Sequence, residues 1–549
     1  GPCSSAPGGP TPLAPGPPRR TGGIEAGADG GTPPPPPHPL PSSTERAASG
    51  RGQDAGLSDH ARDVRPWTQD LAWTSRTVTA SQASSGRTAA GLLHSQILEG
   101  AKRRSSMWPS ALVGAIAIGL SSPATGPPFD VVVLGATGFT GRIAARYLAT
   151  RYGADSPVRW AIAGRNAAKL AEVKCALPNG ADVPSLICDT SDAAAVDELV
   201  RSTKAIANYA GSPFLDKALP VVEACARRGV HYVDITAELP LQRTSYDQFH
   251  AECVRSGALV VHACGFDSVP SDLSAFLAAR ALRAKCGEAP ECRRLQVYVA
   301  NALGGFSGGT LATGAMLMGG GAEGVPGAAD AARRGSYSLD PEGGVGGPDR
   351  DDFGPVGPVG YDADAGTWTT ASVMAAVNMP VVRKTNALLG YPYGKRVRVG
   401  ECTDVQSPLV AAALLPLLAA GAAAVGSPPA YEALTSVGLL PKPGEGPAEW
   451  LMERGFFHVY ALAIAADEGA ARSPAPSERV GRADIFSAPG WGDPGYRGTA
   501  LMSVESALTL ALDRHACAAR EGGVLTPAAA MGDALVRRLT DAGMRFEVQ

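Results

Sequence analysis

The sequence predicts an α/β protein organised on a doubly wound parallel sheet, and three observations predict it. The stretch Phe129–Gly141, FDVVVLGATGFTG, runs from an apolar, mostly β-branched segment through a glycine-punctuated turn into a helical pattern, RIAARYLATRY. Short apolar runs then alternate with helical patterns as far as about Leu282, which is the rhythm of βαβ units. Residues 1–106, by contrast, are dominated by Pro, Gly, Ser and Arg and include five successive prolines, Pro33–Pro37. Such a stretch buries too little apolar surface to offset the entropy of ordering, so a disordered arm precedes the sheet.

Each element follows from its residues. Val131–Leu134 is apolar without alternation, as in a strand buried on both faces. Gly135 then permits a tight turn, Gly138 lets main chain approach a pyrophosphate, and Gly141 lets the helix pack close to the strand. Thr137, Phe139 and Thr140 share this turn and helix start, where free N–H groups and the helix dipole favour an anion. The spacing is GxxGxxG, not GxGxxG, so the strand–turn–helix context carries the reading; a glycine turn without a ligand is the plain alternative. The result is a Rossmann-like nucleotide site.

The second strand, VRWAIAGR, ends at Arg165. An acid at this place holds the ribose 2′-hydroxyl in NAD sites; a guanidinium instead suits a 2′-phosphate, so the cofactor read here is NADP. Asn166 and Lys169 lie beside it at the start of the next helix. The third strand, PSLICD, ends in Asp189, placed to meet an adenine edge or to cap the helix that begins in TSDAAAVDELV. The fourth, KAIANYAG, ends at Asn208 and Tyr209, at the strand end where open α/β sheets take ligands. The strand HYVDIT follows, with Asp234 and Glu238 at its exit, and then ALVVHACGFDSVPSDL, a strand running into a loop that bears Cys264, Gly265, Asp267 and Ser268, with a helix after Pro270.

The expected boundaries are an arm over 1–106, a short apolar lead-in over 107–128, a nucleotide-binding domain over 129–285 and a second region over 286–549. Leu71–Ser106 sets Arg76, Arg87, Lys102, Arg103 and Arg104 against one acid, Glu99, and reads either as an organelle transit peptide or as a plain disordered arm. No methionine precedes Met107, so the chain is expected to lack its start or to carry non-native sequence upstream. In the second region RLQVYVANA alternates like a strand, NALGGFSGGTLATG is a second glycine-rich loop, and residues 330–366 are Gly/Asp/Pro-rich and read as a mobile surface insertion. Leu409–Gly426 has 18 residues and no charge, and reads as a spanning helix, a membrane-surface helical hairpin or a buried substrate-domain helix.

The net charge of −3 gives no electrostatic case for nucleic acid. The 10 cysteines form no CxxC and the 8 histidines no HxxxH, so no metal site is expected and the thiols are read as reduced.

In combination, GATGFTG, AGR at the second strand end, HYVDITAE, CGFDSVPSDL, GDPGYRGTA and GGVLTPAAAMGDAL resemble the saccharopine dehydrogenase-like oxidoreductases, a group similar to the mycobacterial trans-acting enoyl reductases. The resemblance runs from Phe129 to the C-terminus. It implies an N-terminal NADP-binding Rossmann domain and a C-terminal α/β domain that shapes the substrate site and a homodimer. It further implies reduction of a C=C or C=O bond in a hydrophobic, lipid-like substrate. It also implies association with lipid droplets, mitochondria or membranes, glycolipid synthesis being the expected setting and a cytoplasmic enzyme the alternative. Saccharopine turnover itself is not implied by the family name.

The one YxxxK pair, Tyr391 and Lys395, encloses Pro392 and Gly394, so no stable helix presents it as a short-chain-dehydrogenase couple. A single proton donor is enough for an enoyl or imine reduction, and Tyr209, Asp267 and Ser268 follow strand ends on the nicotinamide side. Each taken alone reads first as a residue that caps a helix or holds a turn. Cys264 has no basic partner near it in sequence and reads as a small buried residue. The rival to an enzyme is an idle NADP-binding scaffold at a lipid surface.

Overall fold

A computed structural model describes residues 126–549, apart from 154, 212–213, 288–291, 306–336, 342–358, 373, 438, 443–444 and 467–478. The expected arm, nearly all of the lead-in, most of the second glycine-rich loop and most of 330–366 lie outside the described residues.

The first sheet is parallel throughout. Its strands are β1 (Phe129–Leu134), β2 (Trp160–Gly164), β3 (Ser185–Ile187), β4 (Thr203–Asn208), β5 (His231–Asp234), β6 (Leu259–Val261) and β13 (Gly523–Leu525), in the order β13-β6-β5-β4-β1-β2-β3. The order reverses between β1 and β4, where Leu134 pairs with Asn208. Successive residues of β1 point to opposite faces, and Val131, Val132 and Val133 are all 0% exposed. Burying each such side chain is worth about 1.5–3 kcal/mol, so the unbroken apolar run codes for a strand covered on both sides. One cover is α1 (Phe139–Arg151) with α11 (Arg497–Leu512); the other is α3 (Ala193–Arg201), α4 (Leu215–Arg228) and α5 (Leu239–Ser256). The edge strand β3 is thinly covered, with Ile187 58% exposed.

The second sheet is mixed; with β8 at Val359–Asp362, β9 at Thr367–Ala371, β14 at Arg545–Val548 and the other strands as given below, its order is β14-β12-β11-β7-β10-β9-β8. Its long central pair, β7 (Cys292–Leu303) and β11 (Phe456–Ala465), is antiparallel, while β7 and β10 (Arg398–Asp404) run parallel. The helix α6 (Val269–Cys286) leaves the end of β6 and lies on β11 and β12 (Val480–Phe486), joining the two sheets through one core. The chain returns to the first sheet near its end: α11 lies against β1, β4 and β5, and β13 pairs with β6.

Several local readings change. Asp192, not Asp189, caps α3, its Oδ1 accepting from Ala194 N at 2.9 Å and Ala195 N at 3.3 Å. Asp189 instead closes a turn with Ser191, accepting from its N at 3.0 Å and Oγ at 2.8 Å, because a helix begins three residues later than the strand-end rule places it. The helix α6 begins at Val269, with Pro270 inside its first turn, where a missing N–H costs nothing. Within the stretch read as a surface insertion, Val359–Asp362 forms the edge strand β8, paired with β9 (Thr367–Ala371), and Leu339 packs against Ala263 and Val381.

Leu409–Gly426 lies in α8 (Pro408–Gly426), followed by α9 (Pro428–Ser436). Little of this helix is covered by the rest of the chain, Leu409 and Leu417 being 80% and 69% exposed, so it is not a helix buried within the chain's own substrate domain. By length and composition it is long and apolar enough to cross a membrane, the one such helix among the described residues.

Candidate active site

The site is built where β1 and β4 leave the first sheet side by side. Gly135 has φ +82° and lies so close to the exit of β4 that a Cβ there meets Tyr209 C at 2.6 Å and Ala210 N closer still. Glycine is therefore required both by the turn and by the approach of two backbones. Gly141 faces the same turn: a Cβ there sits 2.9 Å from Gly135 C and 3.0 Å from Ala136 Cα. Gly138 is different. It is exposed, with ordinary extended backbone, φ −74° and ψ 168°, and a Cβ there has only Gly135 O within 4 Å, at 3.3 Å. It is also the N-cap of α1, and no side chain caps that helix. Its bare face thus presents uncapped N–H groups at the positive end of a dipole.

Thr137, Phe139 and Thr140 are half-buried around this opening. The Phe139 ring meets the Tyr496 ring edge-on at 5.0 Å, so GDPGYRG, at the start of α11, borders the glycine turn. Arg165 and Lys169 are exposed past the end of β2, at the start of α2 (Ala167–Ala176), and Arg165 is close enough to Asp189 to help hold that carboxyl below its usual range, after the two Ser191 hydrogen bonds. Asn166 caps α2, its Oδ1 accepting from Lys169 N at 3.0 Å. Asn208 is buried with both ends of its amide held: Oδ1 accepts from Ala210 N at 2.8 Å and Nδ2 donates to Tyr232 Oη at 2.9 Å. It shapes the floor of the cleft.

The three proton-donor candidates separate clearly. Tyr209 is buried, and its hydroxyl lies 2.6 Å from Ser503 Oγ, which itself donates to Thr499 O at 2.6 Å. Tyr209 is therefore the donor in that pair, and burial pushes its hydroxyl above the usual range. Ser268 is 0% exposed and donates to Asn378 Oδ1 at 3.0 Å, which ties the start of α6 to α7 (Ala375–Leu388). Asp267 is half-buried, and no hydrogen bond to its carboxyl is found among the described residues. Burial, with the nearby Glu401 adding to it, pushes Asp267 up to about 6. Cys264 is 0% exposed with its thiol raised by burial, as a packing residue. Tyr391 and Lys395 lie in turns between α7 and β10, Tyr391 at φ +65°, so no helix face carries them.

The partners of other buried groups appear only in the fold. Glu401 on β10 is fully buried and accepts from Ser271 Oγ at 2.9 Å, Ser372 Oγ at 2.6 Å and Asn378 Nδ2 at 2.9 Å. Asp234, His262 and Ser245 form a chain with His262 Nδ1 2.7 Å from Asp234 and Nε2 2.8 Å from Ser245 Oγ. Those are triad distances, but none of the three is more than 2% exposed, so the chain braces β5, β6 and α5. Asp493 accepts from Tyr496 N at 2.8 Å and Arg497 N at 3.0 Å and so caps α11 beside the cleft.

A profile of the saccharopine dehydrogenase NADP binding domain matches residues 131–261, which hold β1 to β6 and the glycine turn. The Mycobacterium tuberculosis protein Rv2449c is 37% identical over 435 residues, covering 77% of this chain and 98% of its own length. Trans-acting enoyl reductases of Mycobacterium bovis and Mycobacterium ulcerans are each 34% identical, covering 76% of this chain and 96% of their own. The chain belongs to the saccharopine dehydrogenase-like oxidoreductases. The apo saccharopine dehydrogenase of Saccharomyces cerevisiae aligns over 77% of this chain with 12% identity and a TM-score of 0.41, too distant to add to the sequence match.

As a member of this family the chain is an NADP-dependent oxidoreductase. The residues present fit the cofactor. The open face of Gly138 and the uncapped start of α1 suit a pyrophosphate, and the exposed Arg165 and Lys169 suit a 2′-phosphate. When bound, the cofactor supplies the hydride. The chain's own residues do the rest: Asn208 fixes the strand exits, and Phe139 with Tyr496 walls the turn.

Proposed function

We propose that this oxidoreductase reduces the C=C bond of an enoyl group carried on a long apolar chain. The observation that carries the reading is the near full-length likeness to proteins named trans-acting enoyl reductase, joined to a nucleotide cleft whose glycines fit their roles. A substrate with several carboxylates, such as saccharopine, calls for free cations at the site. Arg146 on α1 and Arg497 at the start of α11 are instead both engaged by Glu449.

The exposed α8, with a mean hydropathy of 2.2, and the exposed Val437 and Leu439 after α9 support a lipid surface as the place of work, either a lipid droplet or a membrane such as that of the mitochondrion. Glycolipid synthesis is the setting such a substrate favours. A homodimer is the assembly we expect.

The test is loss of NADPH absorbance with the purified chain and long-chain 2-enoyl thioesters supplied in phospholipid vesicles. Steady oxidation with a saturated acyl product supports the reading. Tight NADPH binding with no oxidation of any enoyl or keto substrate overturns it in favour of an NADP-binding scaffold.

A further inference from the structure

The loop after β6 is pinned on both sides of one residue. Cys264 N donates to Asp234 O at 2.8 Å, and Phe266 N donates to Thr499 Oγ1 at 3.0 Å. The Phe266 ring packs on Phe457 of β11 at 4.9 Å. On the far side Ser268 is fixed to Asn378. Asp267 stands between these anchors at the carboxyl end of the parallel strands, the edge at which such a sheet takes its ligands. Three other buried acids here do structural work: Glu238 caps α4 through Phe214 N and Leu215 N, Asp272 accepts from Thr385 Oγ1 and Ala528 N, and Asp493 caps α11 through Oδ2, its Oδ1 being sealed from solvent without a hydrogen bond among the described residues. Asp267 has no such hydrogen-bond work among the described residues and keeps an opening to solvent.

We propose that Asp267 is the proton donor of the reduction, held in its half-buried place by the pinned loop, with the carboxyl of Glu401 adding to the effect of that burial. This rests on the reductase reading above. Glu401 lies in the wall behind the loop, and its three donors, Ser271, Ser372 and Asn378, favour its charged form against the burial that raises its pKa. Among the described residues Glu401 is the charged group that adds to the effect of burial on Asp267. A buried carboxyl with no donor to stabilise its anion holds its proton into the range where an acid works near neutral pH, and the second carboxyl, Glu401, adds to this. In the reaction the π bond of the enoyl group breaks, one carbon takes a hydride and the other a proton. The cofactor is oxidised by two electrons and the substrate is reduced by the same two. The Asp267 O–H bond is the one that breaks, and the carboxylate left behind regains a proton from water at its open side.

The experiment compares wild type with Asp267→Asn, Asp267→Glu and Glu401→Gln in the full chain. Its first readout needs no substrate: an infrared pH titration of the protonated carboxyl band, with the Asp267 band surviving to about pH 6, absent in Asp267→Asn and lost at lower pH in Glu401→Gln. NADPH binding by fluorescence stays within about twofold in Asp267→Asn. Turnover of a 2-enoyl thioester falls about a hundredfold or more in Asp267→Asn, as for removal of a general acid, with partial recovery in Asp267→Glu. Wild-type turnover falls as pH rises through the Asp267 transition, because the acid must hold its proton, and that limb moves down in pH in Glu401→Gln. Turnover of Asp267→Asn within threefold of wild type, or an Asp267 band lost in the ordinary carboxylate range, overturns the proposal. If wild type reduces no enoyl substrate, the reductase reading fails and the donor role with it, while the infrared titration still tests the retained proton.

Discussion

Gly138 and Gly141 both belong to the nucleotide turn, and the structure predicts opposite consequences for filling them. At Gly141 an added methyl sits 2.9 Å from Gly135 C and 3.0 Å from Ala136 Cα, with Gly135 O closer still. Ordinary carbon contacts lie at about 3.5–4.0 Å, so the overlap is roughly 0.5–1 Å and falls on main chain that cannot rotate away. Overpacking of this kind costs about 1–3 kcal/mol. In a chain of this size that lowers Tm by roughly 1–4 °C. At Gly138 the backbone is already in a region open to every residue, and a Cβ meets only Gly135 O at 3.3 Å. Gly138→Val therefore folds with Tm nearly unchanged, but its side chain fills the face offered to the pyrophosphate. Losing two main-chain hydrogen bonds to a charged group, each about 1.5–3 kcal/mol, weakens the cofactor on the order of a hundredfold or more. NADPH and NADH suffer alike, since both carry the pyrophosphate. The assays are thermal melting without ligand and fluorescence titration with each nucleotide. A folded Gly138→Val that binds NADPH as wild type does would refute the reasoning, whatever Gly141→Ala shows.

Three further outcomes follow from the same geometry. Tyr209→Phe removes a hydroxyl that only braces Ser503, so Tm falls by an amount equivalent to about 1 kcal/mol while turnover stays within a fewfold; a loss beyond a hundredfold would make Tyr209 the acid. Lys384 is 1% exposed against the Tyr246 ring, and burial holds it down to about 7. A folded pKa below the unfolded one means that the unfolded chain binds more protons between about pH 7 and 10, so wild-type stability rises with pH across that window. Lys384→Met is expected to raise Tm at pH 7 and to flatten that rise, and an unchanged Tm–pH slope would count against a buried amine. Leu409→Glu with Leu417→Glu is expected to abolish co-flotation with phospholipid vesicles without altering NADPH affinity; retained flotation would exclude α8 as the contact.

The glycine turn, the first six strands and the exposed cation at Arg165 were legible because each rests on a local pattern: an unbroken apolar run, a glycine between strand and helix, a basic residue at a strand end. The strand β13 was not. It is the three residues GVL, too short for any periodicity, and only its partner β6, far off in sequence, makes it a strand. The cap of α3 was misplaced because Asp189 and Asp192 are equally good capping types and only the turn at Ser191 decides between them. Tyr209, Asp267 and Ser268 looked alike as post-strand residues. What separates them is a neighbour from elsewhere in the chain, Ser503 for Tyr209 and Asn378 for Ser268, and the lack of one for Asp267 among the described residues. Glu401 had no signal at all, being one acid in the strand RVGECTD whose burial only the partners Ser271, Ser372 and Asn378 reveal.

The account depends most on an NADP phosphate lying at the end of β2 against Arg165. Titration of the wild type and of Arg165→Glu with NADPH and NADH, followed by fluorescence, tests it directly. The account predicts tighter NADPH binding in wild type and, in the variant, a loss confined mainly to NADPH of roughly ten- to a hundredfold, the value of a charged hydrogen-bond pair of about 1.5–3 kcal/mol. Equal affinity for the two nucleotides in wild type, or an equal loss of both in the variant, would contradict it.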